Sequence, residues 1–95
     1  GRRRQDGRGR SLRLRFTESA ARDLEFWKET NPAVIERIRS LLDSIRATPF
    51  AGIGKPESLK HDLAGYWSRR INREHRLVYR IENEEIIVIQ CRFHY

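Results

Sequence analysis

The sequence predicts an α+β domain, two N-terminal helices laid over a twisted, mostly antiparallel β-sheet. Apolar residues recur at three- and four-residue steps between Ala20 and Ile45, in two stripes parted by Asn31 and Pro32. From Gly65 onward, strand-like runs follow one another with short polar breaks, and short breaks join antiparallel neighbours. The helical stripes are too apolar to stay in water, so they must cover the sheet.

The elements follow in order. Residues 1–11 hold Gly and Arg without an apolar anchor and are expected to form a flexible basic tail; residues 12–95 form the single folded domain. Leu12, Leu14 and Phe16 alternate with Arg13 and Arg15, the pattern of a half-buried strand. Thr17 or Ser19 caps the first helix, where Ala20, Leu24 and Trp27 share a face that makes Trp27 a core residue. Asn31 is the expected cap of the second helix, with Pro32 at its first position. Its core stripe is Val34, Ile35, Ile38, Leu41, Leu42 and Ile45, while Arg37 and Arg46 are expected to face water.

Residues 48–57 read as an irregular loop punctuated by Gly52, Gly54, Pro49 and Pro56, and they deliver Lys55 and Glu57, followed by Lys60 and His61. On the strands, Trp67, Arg69 and Ile71 alternate with Ser68, Arg70 and Asn72. Leu77, Tyr79 and Ile81 are expected to face the helices, as are Ile87, Ile89, Cys91 and Phe93. The helix-free face then gathers Arg70, Arg76, Arg92 and His94.

The chain has 95 residues and a net charge of +7, of which the first ten residues supply +4 through five Arg and one Asp. A basic balance favours RNA, DNA or an acidic partner without choosing among them. No apolar run approaches the ~20 residues of a membrane span. The single Cys91 excludes an internal disulfide and reads as a buried filler, so a cytoplasmic setting is expected. His61, His75, His94 and Cys91 lack metal-ligand spacing, and neither a metal nor a cofactor is expected.

The stretches Thr48-Pro-Phe-x-Gly-x-Gly-Lys-Pro-Glu-x-Leu-Lys-His61, Leu63-x-Gly-x-Trp-Ser-Arg-Arg-Ile71, Glu74-His-Arg-Leu-Val-Tyr79 and Cys91-Arg-x-His-Tyr95 together resemble the YoeB/Txe toxins of the RelE superfamily. The resemblance runs from about Leu12 to Tyr95. It implies a RelE-like microbial RNase fold, a homodimer and a YefM-like antitoxin, with operator DNA contacted only through that antitoxin. It also implies cleavage of mRNA in the decoding site of the ribosome. By motif position the catalytic residues would be Glu57, Arg76, His94 and Tyr95, with Lys60 and Arg70 on substrate phosphate. Lys55 and Arg92 are further candidates for phosphate contact, whereas His61 and His75 receive no chemical role.

That chemistry is coherent without the resemblance. RNA cleavage without metal needs a base for the 2′-hydroxyl proton, an acid for the departing 5′-oxygen and cations around the pentavalent phosphorus. Glu57 suits the base, His94 the acid and Arg76 the cation, while Tyr95 orients or stacks a nucleotide. A noncatalytic RNA- or ribosome-binding module fits the same charge and sheet, and only the Glu57, Arg76 and His94 constellation separates the two.

Overall fold

The computed structural model describes residues 12–93. The expected basic tail over residues 1–11, together with His94 and Tyr95, lies outside the described residues.

Strand β1 (Arg13–Phe16) leads into helix α1 (Glu18–Thr30), which is followed by α2 (Pro32–Ala47). Thr17 caps α1, its hydroxyl accepting the Ala20 N–H at 3.3 Å. Asn31 alone joins the helices. Its N–H closes α1 on the Trp27 carbonyl at 2.8 Å, but its side chain makes no cap bond to α2, contrary to expectation. With its backbone extended to finish one helix, Asn31 leaves the restart to Pro32, whose fixed φ suits a first turn. Arg37 and Arg46 do not simply face water either. Arg37 donates to the Ile71 and Arg70 carbonyls and Arg46 to the Leu12 carbonyl, so α2 is laced to the residue before β1 and to residues 70–71 of the sheet.

The remaining strands are β2 (Glu57–Ser58), β3 (Trp67–Arg70), β4 (Arg76–Glu82) and β5 (Glu85–Gln90). Their order is β1-β5-β4-β3-β2, with β1 parallel to β5 and the other pairs antiparallel. Asn83 and Glu84 turn β4 into β5 with φ of 52° and 61°, the mirror-image turn that suits a twisted hairpin. Strand β2 is a surprise: a two-residue edge strand beyond the irregular loop, without an alternating run to announce it.

The helices and sheet enclose a core of Leu41, Ile45, Leu77, Tyr79, Ile86 and Val88 among others. The β5 phase is thus opposite to the expected one. Ile86 and Val88 face the helices, and Ile87 points the other way between its strand partners Arg15 and Arg80. A bulge then lets Val78 pair with Gln90 directly after Tyr79 pairs with Val88, which resets the alternation and returns Cys91 to the core. Residues 86–89 are apolar without a break, so their pattern carried no information about which side faced in.

One charged residue sits inside. Arg69, 0% exposed, shares the helix-facing side of β3 with Trp67 and Ile71. Its guanidinium donates to the carbonyls of Thr48 and Ala51 at 2.8 Å each and of Ile53 at 3.1 Å, and to Ser44 Oγ at 2.7 Å. The Tyr79 hydroxyl accepts from Nε at 3.2 Å. The loop is wound around a buried cation. Gly54, at φ 86°, passes so close that a Cβ there would lie 2.7 Å from Leu41 Cδ2.

Candidate active site

The wound loop ends by delivering Lys55 and Glu57 to the helix-free face of the sheet. Arg70 and Gly54 fix that delivery, the Arg70 N–H donating to the Gly54 carbonyl at 2.6 Å. Glu57 then pairs with Ser68, and Arg70 pairs with Arg76, so Glu57, Ser68, Arg70 and Arg76 lie on one face across three strands.

Arg76 is the centre. Its side chain is 9% exposed, yet its guanidinium is held by groups from two neighbouring segments. Nε donates to Ser68 Oγ at 2.9 Å, Nη2 donates to the Lys55 carbonyl at 3.2 Å, and Nη2 lies 3.5 Å from Glu57 Oε1. Glu57 is 59% exposed, so the pair has one buried, oriented partner and one partner open to solvent. Such a pair contributes little to stability. Its use is geometric: the carboxylate and the guanidinium border the same space. Glu57 also borders a shallow groove with Ser58, Leu59, Lys60 and His61, which brings the exposed Lys60 to the same rim.

The segment after β5 runs back along the start of β4. The Arg76 N–H donates to the Phe93 carbonyl at 3.1 Å, and the Phe93 N–H donates to His75 Nδ1 at 2.7 Å. Cys91 is gripped by α1: its N–H reaches Asp23 Oδ2 at 3.0 Å, and its carbonyl accepts from Trp27 Nε1 at 2.8 Å. Burial, helped by the Asp23 charge, pushes the Cys91 thiol up to about 12 and keeps it protonated.

The structure therefore gathers Glu57, Arg76 and Arg70 on one face, with Lys60 beside Glu57 and Lys55 exposed at the loop's end. Arg92 does not join them, contrary to expectation. Past Gln90 the strand has ended and alternation no longer applies, so Arg92 stacks on the Phe26 ring of α1, 3.5 Å from its centre. His94 and Tyr95 lie beyond the described residues, one and two peptide units after Phe93. Sequence reasoning missed Ser68 and His75. Ser68 left a signal, since alternation places it on the Arg70 face, whereas the His75 contact spans 18 residues and left none.

A family model matches residues 16–95 and describes a toxin of a bacterial type II toxin–antitoxin system. Within that class the chain belongs to the YoeB-like toxins. It is 44% identical to the toxin YoeB of Escherichia coli K12 over 84 residues, 88% of this chain and 100% of that protein. A YoeB/ParE toxin from Agrobacterium tumefaciens superposes with a TM-score of 0.86 at 52% identity, covering 88% of this chain and 100% of that one. The Staphylococcus aureus YoeB is also similar, in a dimer (TM-score 0.84, 40% identity, 90% and 100% covered) and in a complex with YefM (0.81, 43%, 92% and 100%).

Proposed function

We propose that this toxin is a ribosome-dependent mRNA endoribonuclease that works without metal and is neutralised by a YefM-like antitoxin. The observation that carries the reading is the 3.5 Å approach of Glu57 to a buried Arg76 anchored by Ser68 and the Lys55 carbonyl, whose own N–H holds the residue preceding His94. His94 follows Phe93 directly in the sequence, and its candidate role rests on that adjacency and on the family motif.

In the proposed reaction the Glu57 carboxylate accepts the 2′-hydroxyl proton and the 2′-oxygen bonds to phosphorus. The bond from phosphorus to the 5′-oxygen breaks, and protonated His94 donates its proton to that leaving oxygen. The products are a 2′,3′-cyclic phosphate and a 5′-hydroxyl. Arg76, aided by Arg70 and Lys60, stabilises the charge on the pentavalent phosphorus, and Tyr95 stacks on or orients a nucleotide. Lys55 contacts substrate from the rim, while Arg92 serves packing. The homodimer and the YefM-like partner rest on the solved relatives from Staphylococcus aureus. Operator DNA would be met through the antitoxin, in the cytoplasm.

The test is translation in a cell extract with mapping of message ends. The intact protein should yield cut message with 2′,3′-cyclic phosphate ends, and His94→Gln should abolish the cuts. Inhibition without cut message, unchanged in His94→Gln, would instead identify a noncatalytic ribosome binder.

A further inference from the structure

We infer that His75 is a positioning residue for the proposed cleavage, holding the segment that carries His94 and Tyr95 by accepting a hydrogen bond on Nδ1. The inference rests on the proposed nuclease function. A backbone N–H can only donate, so the 2.7 Å contact from Phe93 requires a bare Nδ1. With Nδ1 accepting, the ring's N–H is the Nε2 one, which faces Glu74 Oε1 at 4.0 Å. Its ring meets the edge of Trp27 at 4.9 Å between centres, so α1 fixes its orientation. Trp27 also donates to the Cys91 carbonyl, and one helix thus braces both the imidazole and the segment it holds.

The arrangement has the character of a built clamp. Residues 91–93 have left the regular ladder, a position where a chain ordinarily frays. Here Asp23 holds the Cys91 N–H, Trp27 the Cys91 carbonyl, His75 the Phe93 N–H and Arg76 the Phe93 carbonyl. Phe93 itself takes a left-handed φ of 71°, strain that a non-glycine residue keeps only when its surroundings over-determine it. Phe93 is 54% exposed, so burial of the residue does not explain the strain. The two bonds at Phe93 come from adjacent residues, His75 and Arg76. The residue that anchors the segment is thus chemically bonded to the one that meets the phosphate. Among the described residues, Asp23 from α1, Arg92 from the held segment, Glu74 from the preceding turn and Arg76 itself are charged groups at this clamp.

The experiment compares His75→Phe, which keeps a ring against Trp27 but removes the acceptor, with His75→Asn, whose Oδ1 takes the place of Nδ1 without a ring. Amide hydrogen exchange at Phe93 and cleavage on programmed ribosomes are measured on both and on the intact protein. His75→Phe should lose protection at Phe93 and lose kcat on the order of 100-fold, since a misplacement of about 1 Å costs that much, with KM nearly unchanged. His75→Asn should keep the protection and recover most of kcat. Unchanged Phe93 exchange in His75→Phe, or a kcat loss in His75→Asn as deep as in His75→Phe, overturns the inference. If His75→Phe does not fold, His75→Asn is compared with the intact protein, and lost protection at Phe93 or a kcat loss on the order of 100-fold overturns the inference. An intact protein that cuts no message overturns the proposed function instead, and is distinguished by protection at Phe93 that still follows the acceptor.

Discussion

At the scale of single residues, the site depends on a guanidinium whose planar fork reaches Ser68, Lys55 and Glu57 at once. Lysine carries the charge but not the fork. Arg76→Lys should therefore fold normally and cut programmed ribosomes about 100- to 1,000-fold more slowly, the usual cost of removing one charge-stabilising donor. Cleavage rates at saturating ribosomes, with circular dichroism as the folding control, check this. Cys91 makes the opposite kind of prediction. The folded thiol holds its proton up to about pH 12, against 9.0 for the ordinary group. Its share of stability is whole below pH 9 and is lost as pH rises towards 12. Burial raises Tyr79 from 10.0 in the same direction. Urea midpoints should fall across that alkaline window, and Cys91→Ala should lessen the fall, with Tyr79 leaving a remainder. At neutral pH iodoacetamide should label the unfolded chain and spare the native one.

At the scale of elements, loop 48–54 is held to the fold by a buried cation that its carbonyls surround. Arg69→Met keeps much of the stem but removes the charged donor those carbonyls share, although the Thr48 and Ala51 carbonyls and Ser44 Oγ each keep a second donor. A hydrogen bond to a charged group contributes about 1.5–3 kcal/mol, so loss of the set is expected to cost at least about 3 kcal/mol in urea unfolding. Glu57 should lose its place even in molecules that remain folded. Alternation along β3 already put Arg69 on the core side, and an arginine in that position is a readable sign that carbonyls must converge on it. The helices were equally legible because Val34, Ile38, Leu41 and Ile45 repeat without exception. Strand β5 was not, since Ile86, Ile87, Val88 and Ile89 offer two apolar faces, and register with β4 decides what alternation cannot. The distance between Glu57 and Arg76 was legible only as a motif. Their meeting depends on a two-residue strand too short to have a period, while Arg92 was misjudged because alternation was extended past the end of its strand.

At the scale of the whole molecule, the described residues of the site form an open face. Glu57 is largely in water, Lys60 and Arg70 are exposed, and the groove beside them is shallow. An enzyme that fixes its own substrate ordinarily surrounds it, because excluded water strengthens each charge and a bound geometry supplies the alignment. Here Arg76 is preorganised, while among the described residues little surrounds the strand that the proposed reaction would cut. A second surface has to bend the message so that the 2′-oxygen, phosphorus and 5′-oxygen fall in line, and the decoding site is the surface the proposed function names. The isolated protein should bind free RNA through its net charge of +7, weakly and with strong salt dependence, and cut it slowly. If the proposed function holds, the gain on programmed ribosomes should appear in kcat at least as much as in KM, because the ribosome would add alignment rather than affinity. Single-turnover rates on one message, free and ribosome-bound, at two salt concentrations, make the comparison. Equal rate constants on both substrates would mean that the face aligns RNA unaided, and the ribosome requirement would fall.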